Sequence, residues 1–211
     1  MSIFRRDTPF GPFSTWIDGS LVPDGLPLGG PAVGWTTDEL EVSLTAAIPD
    51  YGGTTFDVDG HFGWLWRITV RRDIPQLRIV ARLDPDRRLD DLTAEPFEAP
   101  WLRAVKWQRG ETVVGTGTSD LEALLVRSAD GNWLPERYLD AVDPTNPGMV
   151  PFIERTAVGI TATFIAPRAG ECFGHHVSLA WADERRLSPL VDALEIEADG
   201  ILRGAARESS G

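Results

Sequence analysis

The segment His61-Phe62-Gly63-Trp64-Leu65-Trp66-Arg67-Ile68-Thr69-Val70-Arg71-Arg72 alternates without a break. Phe62, Trp64, Trp66, Ile68 and Val70 fall on one face, and Leu65, Arg67, Thr69 and Arg71 on the other. That period of two is what a half-buried strand requires. After Asp73-Ile74-Pro75-Gln76 the alternation resumes, with Leu77, Ile79, Ala81 and Leu83 set against Arg78, Val80 and Arg82. Two such runs around a short turn predict a β-hairpin. Pairing Arg72 with Leu77 places Val70 opposite Ile79 and Ile68 opposite Ala81. A slip of one residue would set apolar side chains against charges, so the pattern selects this register. The same register opposes Arg71 to Arg78 and Arg67 to Arg82. Like charges directly opposite one another destabilise a sheet. An anionic group, from the protein or from a ligand, is therefore expected on that face.

The rest of the chain is strongly acidic. Its 211 residues carry 32 Asp and Glu against 20 Lys and Arg, a net charge of -12. Residues 61–90 run the other way, with seven Arg against four Asp. The acids are spread along the chain, which argues against general nucleic-acid binding, where neutralised phosphates supply most of the affinity. The same balance suits a basic protein partner. Lys106 is the only lysine, so the arginine content by itself does not signal anion recognition. One cysteine, Cys172, excludes an intramolecular disulfide and a multi-cysteine metal site. No segment has the apolar length of a signal peptide or a membrane span. A cytoplasmic location with no membrane association is the expectation.

Turn signals divide the chain. Residues 1–35, rich in Gly and Pro with Phe4, Phe10, Phe13, Trp16 and Trp35, read as an irregular aromatic arm packed on the body, with a short strand near Ser14–Asp18. Residues 36–203 read as a single domain and 204–211 as a disordered tail. Over Asp38–Ile48 strand alternation competes with helical spacing, and the β-branched positions favour a strand. Thr54–Val58 reads as a strand turning through Asp59-Gly60 into the long one. Residues 84–100 read as a connection. Trp101–Gln108 and Glu111–Gly115 suggest a hairpin on Arg109-Gly110. Ser119-Asp120-Leu121-Glu122 is a capping box for a helix, and a second short helix is expected from Pro135 through Leu139. Two strands follow, Val158–Phe164 and Phe173–Trp181. For the end of the chain, a hairpin on Asp199-Gly200 competes with a helix from Pro189. The predicted fold is α+β and β-dominated: a mainly antiparallel twisted sheet or partly closed sandwich, with one or two short helices packed on it.

Candidate sites are few. The face bearing Arg67, Arg71, Arg78 and Arg82 suits bidentate capture of carboxylate or phosphate. The structural alternative, which is preferred, is an ion network with acids such as Glu39, Glu41 or Asp57. His175 and His176 point to opposite sides of one strand, and Cys172 lies about 13 Å from His176 along it, so these three do not share an ion. His175 reads as a buried, hydrogen-bonded histidine, and with Trp181 it marks the alternative of a small-molecule pocket. Asp57, Asp59 and His61 form the closest Asp/His cluster, a weak metal candidate, because turn chemistry already explains Asp59-Gly60. Gly115-Thr116-Gly117-Thr118-Ser119 lacks the lysine and spacing of a phosphate loop. No catalytic motif is visible and no cofactor is implied. The leading expectation is an acidic protein-interaction module, an inhibitor or immunity-type partner of a basic effector. An enzyme or small-molecule binder and a carbohydrate-binding sandwich are the competing readings.

Overall fold

The computed structural model describes residues 3–19, 22–23, 26, 30–84, 92–99, 102–119, 134–140, 150–195 and 198–210. Twelve strands are formed among them. They are β1 (Arg5–Thr8), β2 (Gly11–Ile17), β3 (Ala32–Thr36), β4 (Leu40–Ala47), β5 (Gly60–Val70), β6 (Gln76–Leu83), β7 (Thr93–Ala99), β8 (Leu102–Arg109), β9 (Thr112–Ser119), β10 (Ile153–Thr156), β11 (Gly159–Ile165) and β12 (Cys172–Asp183). Short helices are α1 (Glu136–Leu139), α2 (Leu187–Leu194) and α3 (Ala198–Glu208), with a 3-10 turn at Glu184–Arg186. The strands make two antiparallel sheets, ordered β1-β2-β6-β11-β10 and β3-β4-β5-β12-β9-β8-β7. This is the β-dominated α+β class that the alternation predicts.

The central hairpin is corrected. β5 and β6 do not pair. β5 lies between β4 and β12 in one sheet, and β6 lies between β2 and β11 in the other. Trp64, Trp66 and Ile68 on β5, and Leu77, Ile79 and Leu83 on β6, are all buried in one shared core. Alternation states which face is apolar and is silent on which strand is the neighbour. Two apolar faces meet equally well across a sandwich, where the sheets pack about 10 Å apart. The link Arg71–Pro75 spans that gap. It is anchored by Ile74 N donating to Pro167 O at 3.1 Å and Arg71 N to Glu39 O at 2.7 Å.

Tryptophans clamp the two layers. Trp66 Nε1 donates to Thr15 Oγ1 on β2 at 3.0 Å, and Trp64 Nε1 to Ile3 O at 2.8 Å. Trp107 Nε1 donates to Ala157 O at 2.7 Å, in the turn between β10 and β11. These three side chains are fully buried, and each polar tip is satisfied from the opposite layer. A second aromatic group, Tyr138, Phe152, Phe164 and Phe173, fills the α1 end of the core.

Further differences follow from packing. Residues 5–17 form the β1–β2 hairpin of the five-stranded sheet, with Phe13 and Ile17 buried, where an irregular arm was expected. β7 occupies part of the expected connection 84–100. Its Pro96 is tolerated because β7 is an edge strand. Thr54 makes only an isolated bridge to Tyr51, and the long strand begins at Gly60. The chain end is helical instead of a hairpin and a tail, with α2 and α3 covering the outer face of the seven-stranded sheet. Leu190 and Leu194 of α2 sit over Gly115, where a Cβ would come 2.7 Å from Leu194 Cδ1. Ser178 Oγ lies 2.7 Å from the Leu194 carbonyl beneath them. Gly204 of α3 lies so close to β4 that a Cβ would approach Ile48 O at 2.1 Å. β4, the β8–β9 hairpin around Gly110, β11 and β12 form as expected, and the expected second helix is α1, with Pro135 at its N-cap. The capped helix expected from Ser119 lies outside the described residues beyond that serine. Among the described residues no helix is long and apolar enough to cross a membrane.

Candidate functional site

Splitting β5 from β6 disperses the four arginines. Arg67 is exposed on the outer face of the seven-stranded sheet, between Ser43 and Gly174 on the neighbouring strands. Arg71, just past β5, donates from Nη1 to Thr37 O at 2.8 Å. Arg78 and Arg82 lie on the outer side of the five-stranded sheet, paired with Asp18 at 2.9 Å and Asp84 at 3.1 Å. No arginine opposes another across a strand pair here, and the repulsion that demanded an anion is absent. Arg78 faces Thr163 on β11, and Arg82 lies between Ser14 and Gly159.

The Asp57, Asp59 and His61 cluster is also separated. Arg186 reaches across from the 3-10 turn and takes both carboxylates, Asp57 Oδ1 at 3.2 Å and Asp59 Oδ1 at 2.7 Å. His61 turns away, its ring edge-on to Phe56 and hydrogen-bonded to the Ala193 backbone. Burial lowers its pKa to about 4, against the opposing effect of that hydrogen bond. Its Nε2 is buried with no hydrogen-bond partner among the described residues. The group is a neutral structural imidazole under ordinary conditions. Among the described residues no three His, Cys, Asp or Glu side chains are grouped to hold a metal.

His175 and Trp181 do not make a common pocket. Both point inward from β12, but six residues apart, about 20 Å along the strand. His175 is buried opposite Trp66, and Trp181 stacks over Gly60, where a Cβ would lie 2.0 Å from the indole. With Trp64, Trp66 and Trp107 wholly inside, these rings form no exposed platform for a sugar.

A cavity missed by sequence reasoning lies at the end of the sandwich, with a volume of about 490 Å³. Three turns meet there: Ile17–Gly19 after β2, Thr37–Leu40 between β3 and β4, and Arg72–Leu77 between β5 and β6. Its floor is apolar, from the buried Ile17, Leu40, Ile74 and Leu77. Its rim carries Asp18, Asp38, Glu39 and Arg72. Arg72 pairs with Glu39 at 2.6 Å, Arg78 beside the rim pairs with Asp18 at 2.9 Å, and Asp38 has no ion-pair partner among the described residues. Thr37 shapes the turn, with Oγ1 accepting from Glu39 N at 3.2 Å and Leu40 N at 3.0 Å. No family matches this chain, and no curated protein shows significant similarity to it.

A second feature invisible in sequence is the α1 latch. Arg137 forks onto Glu171, Nε to Oε1 at 2.7 Å and Nη2 to Oε2 at 2.8 Å, and also donates to Ala166 O at 2.8 Å. Tyr138 Oη donates to Ile165 O at 2.8 Å. The hydrogen bond from Arg137 is the main reason that the Glu171 carboxyl titrates below its ordinary value. All of these partners are spent on fixing α1 to the β11–β12 turn, so the cluster is structural.

Proposed function

We propose that this chain is an acidic, cytoplasmic protein-interaction module whose partner is basic, in the manner of an inhibitor or immunity-type protein facing a basic effector. The observation that carries the reading is the end cavity. An apolar floor beside the Asp38 carboxylate, which has no ion-pair partner among the described residues, suits the aliphatic stem and cationic head of a partner's lysine or arginine. The net charge of -12 steers such a partner from a distance, and the rim sets where it lands.

The test uses a fluorescent hexa-arginine peptide and its hexa-glutamate counterpart, read by anisotropy at low and high salt. The arginine peptide is expected to bind, more weakly as salt rises. Asp38→Asn combined with Glu39→Gln is expected to weaken it several-fold more than the charge-matched pair Glu154→Gln and Asp199→Asn elsewhere on the surface. Equal losses from the two pairs would mean diffuse attraction and no site at the cavity.

A further inference from the structure

The four sheet edges differ in one respect. β1, β7 and β10 carry charge or proline: Arg5, Arg6 and Asp7 on the first, Glu95 and Pro96 on the second, Glu154 and Arg155 on the third. Such residues keep foreign strands from adding to an edge. β3, Ala32-Val33-Gly34-Trp35-Thr36, has neither. Among the described residues no strand pairs with its outer side.

The hydrogen-bond phase of β3 is fixed at both ends. Ala46 N donates to Pro31 O at 2.7 Å, and Thr37 N to Leu40 O at 2.8 Å. Residues 31 and 37 therefore bond toward β4, and so do Val33 and Trp35 by the antiparallel alternation. The N–H and C=O groups of Ala32, Gly34 and Thr36 face the free edge. The side chains of these same residues are small and exposed, while Val33 and Trp35 are buried inward. At Gly34 a Cβ would meet only Val42 O, at 3.4 Å. The edge leads directly into Thr37, Asp38 and Glu39, the acidic rim of the end cavity.

We propose that β3 is a strand-addition site. An extended segment of a protein partner pairs with Ala32, Gly34 and Thr36 and delivers an arginine or lysine into the cavity beside Asp38. This rests on the basic-partner reading of the cavity and adds the means of capture. Main-chain hydrogen bonds supply affinity, and the cavity supplies selection. Five residues of β3 offer about 17 Å of edge, enough for a short recognition segment.

The experiment pans a random dodecapeptide display library against the full chain and then measures the selected peptide by anisotropy and amide hydrogen exchange. Enriched peptides are expected to carry a β-prone run flanked by Arg or Lys. Binding is expected to slow exchange at Ala32, Gly34 and Thr36 by tenfold or more, with little change at the already bonded Val33 and Trp35. Gly34→Pro and Thr36→Pro each delete one edge donor without touching a bond to β4, and each is expected to weaken binding at least tenfold. Exchange on the unaltered chain gives the answer independently of how the variants fold. Peptide binding that leaves those three amides fast, or no enrichment at all, overturns strand addition. Loss with Asp38→Asn and Glu39→Gln but not with proline overturns it too, while leaving the acidic cavity standing. Loss with proline alone overturns the delivery of a basic side chain and with it the basic-partner reading. A dimer in light scattering that Gly34→Pro abolishes assigns the edge to a second copy and overturns the basic segment.

Discussion

Trp66 Nε1 lies 3.0 Å from Thr15 Oγ1, one member in each sheet and both buried. The bond ties the central tryptophan of β5 to β2, across the layer and not along it. Trp66→Ala is expected to cost about 3–5 kcal/mol, as for a fully buried aromatic. Thr15→Val keeps the shape and strands the indole N–H, at about 1–3 kcal/mol. Trp35 makes the comparison, because its buried N–H has no partner among the described residues. Trp35→Phe removes no hydrogen bond and is expected to cost less than Trp66→Phe. Denaturant midpoints of the four variants give the order, and equal costs for the two Trp→Phe changes would refute it.

The dispersal of the arginines has its own test. Arg71 follows the end of β5, Arg78 lies on β6 of the other sheet, and they bond different partners, Thr37 O and Asp18. Arg71→Ala and Arg78→Ala are each expected to cost no more than about 1 kcal/mol, the scale of exposed ion pairs and surface hydrogen bonds. Their double variant is expected to be additive within about 0.5 kcal/mol. Two opposed guanidiniums in one hairpin would instead couple, each single variant relieving the other. A double-mutant cycle by urea unfolding decides between them.

At the α1 latch, Arg137→Ala or Glu171→Gln is expected to cost about 1–3 kcal/mol, the range for charge-assisted bonds away from full exposure. The carboxyl of Glu171 is held below its ordinary 4.5, chiefly by Arg137. A depressed acid contributes stability that is present above its ordinary pKa and lost as pH falls through the folded value. The gap in stability between the parent and Glu171→Gln is therefore expected to be largest above pH 5 and to close in acid. A gap that is flat with pH would mean that the carboxylate is not the contributing form.

His61 gives the same sign from a different cause. Its folded pKa of about 4 lies below the ordinary 6.5 because the ring is buried. The unfolded chain takes the proton first, so this group's contribution is intact above pH 6.5 and erodes between 6.5 and 4. The limiting loss is about 3 kcal/mol. Replacing it with Gln, which does not titrate, is expected to flatten the stability profile across that interval. An unchanged profile would show that the imidazole titrates normally.

Which of these features could be read beforehand depends on what alternation encodes. The buried faces of β4, β5, β6, β11 and β12 were legible because a period of two is set by each strand's own residues. Pairing was not, since Val70 and Ile79 satisfy the same pattern across a sandwich as along a hairpin. Gly200 looks like turn punctuation and Gly204 like the start of a tail. In the fold both sit within α3, where a Cβ at Gly204 would meet Ile48 O at 2.1 Å and one at Gly200 would press on the Tyr51 ring at 3.1 Å. Pro96 marked a connection where it blunts an edge. The end cavity was invisible because its walls come from three turns separated in sequence and joined only by the packing of the sheets. Asp57 and Asp59 were legible as a pair, but Arg186, about 130 residues away, gave no sign that it would claim both.

The separation of β5 from β6 has a temporal consequence. β5 gains β4 early, but its other neighbour is β12, more than a hundred residues later. β6 likewise waits for β11 to complete its far side. During synthesis one edge of β5 is thus left without its neighbouring strand long before its sheet can close. Native contacts so distant in sequence place the chain among slow folders, in milliseconds to seconds. A ribosome paused before residue 172 would hold a tryptophan-rich, half-built sheet. At that stage the unpaired edges of β5 and β6 are open to wrong pairing.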